Sequence, residues 1–290
     1  MPAHRTDTTR PALLGKTSFD DIYDSPDPRS YFRTLDPLDY QIPHHANAVF
    51  RTLLDKRGNT GGAVVDLCCS YGINATLLNH DLTLHELYAR YCAEPAAGLS
   101  PTELLATDRE FFRRARRRSG VVRSVGIDAA ANAVSYAVDA GMLDEGFAEN
   151  LELAAPSSAL RAAVADTQLI TVTGGVGYIG AQTFERLLDC MPRPAWVAAF
   201  VLRTVPYQEI ADGLRRFGLV TEKVTTRTFL QRRFSDAEEQ RHALEDLAYL
   251  GTSPEGKEMT GFYHTELYVS RPAADIAEMP LAELLPFTTS

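Results

Sequence analysis

Three short segments of the chain carry acids and small residues in an order suited to holding a ligand. In VVDLCCSYG, Asp66 stands inside an apolar run, and Cys68, Ser70 and Gly72 follow it at alternate positions. Small side chains there let a ligand approach the backbone, which is what binding at the carboxyl end of a parallel strand requires. A second acid, Asp128, closes the run VVRSVGI and opens the Ala-rich stretch AAANAV, which begins at Ala129 and contains Asn132. A carboxylate at the end of the second strand of such a sheet can accept both hydroxyls of a ribose, and Asp also suits the N-cap of a helix. The third segment, TVTGGVGYIG, spaces Gly174, Gly177 and Gly180 three apart and sets Tyr178 in a turn.

Other reactive residue types have plainer readings. Cys68 and Cys69 are adjacent, so on a strand they face opposite ways, and neither has a neighbouring base; packing is the expected role. The four cysteines form no C-x-x-C pair and no zinc-spaced set with histidine. His44 and His45, in IPHHANA, could supply a general base, against a structural role beside a helix start. The run Arg113, Arg114, Arg116, Arg117 and Arg118 is helical in pattern, and a solvated face is its expected setting.

Those segments need a scaffold, and the pattern along the 290 residues supplies one. Short apolar, β-branched runs at 63–69, 121–127, 147–154, 167–173, 195–202, 219–224 and 265–270 predict seven strands, most separated by helical patterns. That alternation predicts an α/β fold: a doubly wound, Rossmann-like, mostly parallel sheet with helices on both faces. Residues 1–18 read as a flexible arm, 19–60 as an N-terminal helical cap, 61–270 as the sheet domain, and 271–290 as a tail. Helical inserts are expected at about 81–119 and 228–262.

Composition narrows the partners. With 29 Lys and Arg against 38 Asp and Glu, the net charge is −9, which opposes binding to nucleic acid or anionic lipid. No run approaches the roughly 18 uncharged apolar residues of a membrane span, and the N-terminal residues carry no apolar leader core. A reduced cytoplasm is the expected location. A small molecule is the expected partner, with a homodimer left open.

The segment with Asp66, Cys68, Ser70 and Gly72 resembles the first motif, D-x-G-x-G-x-G, of class I S-adenosylmethionine (SAM)-dependent methyltransferases, with Cys68 and Ser70 in place of two glycines. RSVGIDAAANAV resembles the family's next motif, although 62 residues separate the two acids where about twenty is usual; the first helical insert supplies the difference. The resemblance covers about residues 61–224 and the last strand. It implies SAM as cofactor, held by Asp66, Cys68, Ser70, Gly72, Asp128, Ala129, Asn132, Gly174 and Tyr31, with Gly174 in the turn after the fourth strand, where such folds place substrate-facing residues. It also gives tyrosines a task, since an aromatic face near the sulfonium stabilises it by up to about 2 kcal/mol. Tyr71 and Tyr178, with Tyr23 and Tyr31, are candidates against plain packing. Tyr178, Tyr71 and His45 are the expected catalytic set, and Arg203 a possible clamp for a carboxylate.

The reaction expected is methylation of a small molecule in specialised metabolism. No Asn-Pro-Pro-Tyr-type motif for nucleobase amines and no metal cluster is present. The resemblance also admits the azetidine-2-carboxylate synthase type, in which the amino group of SAM attacks its own Cγ and methylthioadenosine leaves. A non-catalytic SAM-binding partner is a third reading. TVTGGVGYIG is similar to the nicotinamide fingerprint of short-chain dehydrogenases and epimerases. Only 110 residues follow Gly180, however, no Y-x-x-x-K lies downstream, and the next strand ends in Arg203 and Thr204 rather than an acid.

Overall fold

A computed structural model describes residues 20–58, 61–115 and 117–287. The expected arm over 1–18 and Arg116 lie outside the described residues. The strands are β1 (Val64–Leu67), β2 (Ser124–Asp128), β3 (Glu145–Ala148), β4 (Leu169–Thr173), β5 (Trp196–Leu202), β6 (Leu219–Lys223), β7 (Phe229–Arg233) and β8 (Phe262–Pro272). They form one sheet in the order β3-β2-β1-β4-β5-β8-β6, with β7 also paired to β8. The pairs among β1 to β5 are parallel, and every pair made by β8 is antiparallel. From β1 the chain winds outward to β2 and β3, then returns to β4 on the other side. The crevice above the ends of β1 and β4 is therefore the switch point where sheets of this kind bind ligands.

Alternation within the strands sends side chains to two cores. Val64, Ala198 and Phe200 face one, while Val65, Leu67, Val197 and Ala199 face the other. Helices α1 (Asp20–Tyr23), α2 (Arg29–Leu35), α3 (Ile42–Arg57), α4 (Ile73–Asn79), α5 (Leu84–Cys92), α6 (Glu94–Ala97), α7 (Pro101–Arg114) and α8 (Ala131–Ala140) precede β3. The first core draws on α2 to α8, including Phe50 of α3, whose ring lies 5.8 Å from that of Phe200. Helices α9 (Ser158–Val164), α10 (Ala181–Leu188), α11 (Gln208–Arg215) and α12 (Ala237–Tyr249) supply the second. No helix among the described residues is long and apolar enough to cross a membrane.

Two expectations about the strands need correction. The third strand ends at Ala148 instead of Ala154: Gly146 packs against Val134 and Val138 of α8, and Asn150 O then accepts from Leu153 N and Ala154 N in a turn. The sheet has eight strands among the described residues, because β7 lies inside the segment read as a helical insert. A bulge between Leu230 and Arg233 breaks the period-2 pattern that would have marked it. Phe229 fixes this strand, its ring 5.0 Å from Phe200.

The first insert is helical as expected and is pinned by one buried acid. Asp108 of α7, fully buried, accepts from Arg90 Nε at 2.7 Å, Tyr91 OH at 2.7 Å and Tyr136 OH at 2.5 Å, joining α5, α7 and α8. Asp108→Ala leaves a guanidinium and two phenols without their partner and is expected to cost about 3–5 kcal/mol. Urea denaturation checks this; an unchanged midpoint would show the knot contributes nothing.

Candidate functional site

The turn after β1 keeps the backbone that the three glycines of its motif would favour, although two of them are replaced. Cys68, Ser70 and Gly72 have φ of 54°, 47° and 70°. A non-glycine residue in this left-handed region costs on the order of 1–2 kcal/mol, so the turn needs compensating contacts. Asp128 provides one: its Oδ2 accepts from Ser70 N at 2.8 Å, and its Oδ1 from Ala130 N at 3.0 Å. One carboxylate thus joins the turn after β1 to the start of α8. Across the crevice Gly175 is required for contact, since a Cβ there would lie 2.7 Å from Cys68 Sγ. Burial pushes the thiols of Cys68 and Cys69 well up, which makes them packing groups rather than nucleophiles.

Above these turns lies a cavity of about 450 Å³. In the order of the strands beneath it, it runs from Glu149 and Leu151 beyond β3, over Ile127 to Ala130, Cys68 to Ser70, and Thr173 to Gly175, to Gln231 of β7. Tyr23 and Asp24 follow from α1, and Tyr31 and Tyr40 complete the wall. Tyr31 meets the rings of Tyr23 and Tyr40 edge-on at 5.8 and 6.2 Å. Burial raises the Tyr23 and Tyr31 phenols and pushes Tyr40 up to about 12, so all three remain neutral.

Beneath the floor sits Asp66, 2% exposed, accepting from Thr171 Oγ1 at 2.9 Å and from Asn74 Nδ2 at 3.3 Å. Burial raises its carboxyl to about 7; the bonds from Thr171 and Asn74 oppose that shift, and the charge of Asp128 adds to it. Burial also raises Asp128, against the backbone N–H groups that it accepts. Ser70 Oγ, Asn74 Oδ1 and Gln231 Oε1 are buried without a protein partner, and all three residues line the cavity. A buried oxygen left unpaired costs about 1–3 kcal/mol, and bound ligand donors would relieve it.

Of the residues singled out in the sequence, Cys68, Ser70, Asp128, Ala129, Gly174, Tyr23, Tyr31 and Tyr178 line the cavity. Others stand apart from it. Tyr71 is buried beside Tyr31 and donates to Ser25 O at 2.8 Å, bracing the segment after α1. Gly72 packs under Leu143 as the residue before α4. Asn132 donates from its backbone N to Asp24 Oδ1 at 2.8 Å and from Nδ2 to Asp24 O at 2.9 Å, which fastens α1 over the cavity.

His45, on α3, shares a 3.2 Å hydrogen bond with Gln41 Oε1, and burial lowers it to about 4; it does not line the cavity, nor does His44. Arg203 is buried in a pair with Glu258 and donates to Ser253 O, away from the cavity lining. Arg113 and Arg114 pair with Glu110 on an exposed face. Sequence reasoning missed Tyr40, Asn74 and Gln231. Asn74 left a signal, a polar residue in the apolar helix INATLL; Gln231 left none, because its strand was not foreseen.

The glycine turn after β4 leads into α10, whose N-terminus would be the anion site of a dinucleotide fold. Glu152 already fills it: its Oε1 accepts from Gly180 N at 2.9 Å, Thr183 N at 3.1 Å and Thr183 Oγ1 at 2.5 Å.

No family model and no curated protein sequence matches the chain. Solved structures similar to it include SAM-dependent methyltransferases and a cyclase. Magnesium protoporphyrin IX methyltransferase (ChlM) from Synechocystis, with bound SAM, is 12% identical over 79% of each chain, with a TM-score of 0.38. The (4+2)-cyclase SpnF is 10% identical over 78% of this chain and 81% of its own, with a TM-score of 0.37. The YcgJ protein from Bacillus subtilis is 10% identical over 79% of this chain and 99% of its own, with a TM-score of 0.44.

The raised carboxyl of Asp66 has a pH signature. Between about 4 and about 7 the native state holds a proton that the unfolded chain has lost, so stability falls as pH rises through that window, by up to about 1.4 kcal/mol per unit. Asp66→Asn is expected to flatten that slope in denaturation series from pH 4.5 to 7.5. An unaltered slope in the variant would assign it to other groups.

Proposed function

We propose that the chain is a SAM-dependent enzyme whose acceptor is a small molecule. The observation that carries this reading is the Asp128 carboxylate, at the end of the second strand and on the cavity wall, tied to the turn whose backbone the ligand must approach. Each of its oxygens has a second lone pair, which suits the two hydroxyls of a ribose. Ile127 and Leu151 would flank the base. Asp66, beneath the floor, would reach a methionine ammonium only through water, and the faces of Tyr23, Tyr31, Tyr40 and Tyr178 suit a sulfonium.

When bound, SAM supplies a methyl carbon on a positively charged sulfur, which leaves as a neutral thioether. The chain's own task is to align the two reactants and exclude water, and α1 performs the second by closing over the cavity through Asn132 and Asp24. Among the described residues, no Lys, Arg or His lines the cavity. That argues against a dinucleotide, whose pyrophosphate would face Asp128 and Asp24, as does the occupied N-terminus of α10. A cytoplasmic setting and a role in specialised metabolism belong to the same proposal, the first supported by four free cysteines.

The tyrosine-rich wall supports a second reading with no separate acceptor. The amino nitrogen of SAM attacks its own Cγ, the Cγ–S bond breaks, sulfur keeps the electron pair, and azetidine-2-carboxylate and methylthioadenosine result. Incubation with SAM alone, followed by mass spectrometry, separates the two: intact SAM is expected for the transferase, and methylthioadenosine above the spontaneous background for the cyclase. Asp128→Ala is expected to weaken SAM binding about 10- to 100-fold by calorimetry, the scale of charge-assisted hydrogen bonds lost. Unchanged affinity would overturn the ribose assignment.

A further inference from the structure

The far end of the cavity has a character of its own. Gln231 is 2% exposed, and its side chain lies over Gly174, so close that a Cβ on that glycine would stand 2.5 Å from Gln231 Nε2. Its Oε1 has no protein partner. Asn74, 9% exposed, flanks the same strand end: its Nδ2 donates to Thr173 Oγ1 at 2.9 Å, which leaves its Oδ1 as a second unpartnered acceptor. Tyr31 and Tyr40 wall this end with neutral phenols. Arg232, next in sequence, is held by both oxygens of Glu239 at 2.8 and 2.7 Å. The crevice floor here is β4, two strands from the Asp128 end and about 10 Å away at ordinary strand spacing. A nucleoside held at Asp128 would therefore direct its reactive end toward Gln231 and Asn74.

We infer that this end is a subsite for an amine: the carboxamide oxygens of Gln231 and Asn74 accept from the N–H groups of an amine or ammonium on the acceptor. The inference rests on the SAM reading and adds the acceptor's chemical class. Two carbonyl oxygens in a site with carboxylates can satisfy donors, and among the described residues no Lys, Arg or His lines the cavity to hold an anion. An amine also suits the phenol faces when protonated. Gln231 is a specificity residue in this account, since it would meet the ligand directly and nothing in the fold requires its carboxamide oxygen to be left unpaired.

The test uses two nucleosides that differ at the reacting position: S-adenosylhomocysteine, a neutral thioether, and sinefungin, which carries an ammonium where SAM carries its methyl group. Calorimetry on the wild-type protein is expected to show sinefungin binding at least tenfold tighter. Gln231→Met, similar in length and without the oxygen, should reduce that ratio to about threefold or less with S-adenosylhomocysteine affinity unchanged. Gln231→Glu, similar in shape, should widen it. Equal affinities in the wild type, or a ratio that survives Gln231→Met in a protein with an unchanged melting temperature, would overturn the amine subsite and leave the SAM reading standing. Binding of neither nucleoside to the wild type would overturn the SAM reading itself.

Discussion

The carboxylate of Asp128 accepts two backbone N–H groups, one from Ser70 and one from Ala130, and the site depends on that pair of bonds. Ser70 occupies a backbone region that side chains disfavour, in a turn where a second residue, Cys68, does the same. The acceptor for the Ser70 N–H helps to offset that strain, beside the bonds from Cys69 N to Ile127 O and from Gly72 N to Cys69 O. With it, the turn after β1 is fixed against the start of α8, and its small side chains face the crevice. Gly175 then closes the other side, because Cys68 leaves no room there for a Cβ. The crevice at the switch point is thus shaped by backbone geometry.

The cap completes the cavity over that frame. Its helices bring Tyr23, Tyr31 and Tyr40 to one wall, and Asn132 and Tyr71 brace α1 and the turn after it through Asp24 and Ser25. Two residues that sequence reasoning linked to chemistry therefore act through the segment they hold. The remaining wall comes from β7 and contributes Gln231. The cavity consequently combines carboxylates, carboxamide oxygens and aromatic faces, a set that stabilises positive charge and hydrogen-bond donors.

Much of this was legible in the sequence because it depends on local rules. The strand holding Asp66, the acid at Asp128 and the turn at Gly174 follow from buried β-branched runs with small residues behind them. What escaped depends on tertiary contacts. Strand β7 is short, bulged and placed by Phe229 against Phe200, a contact between residues far apart in the chain. Gln231 was invisible for the same reason. The tyrosines show the limit from another side: Tyr31 and Tyr71 have the same side chain and touch each other, but only Tyr31 reaches the cavity, a distinction set by the packing of α2 against the turn after β1. The glycine fingerprint, which the rest of the sequence already argued against, has a spacing that suits a pyrophosphate, while Glu152, more than twenty residues upstream, holds the helix end.

A crystal structure of the protein with S-adenosylhomocysteine tests the central claim most directly. The account predicts both ribose hydroxyls on the Asp128 carboxylate, the Ser70 and Ala130 bonds retained, and the thioether sulfur over the gap between β1 and β4. A nucleoside bound elsewhere, or one in this cavity whose ribose makes no contact with Asp128, would contradict it.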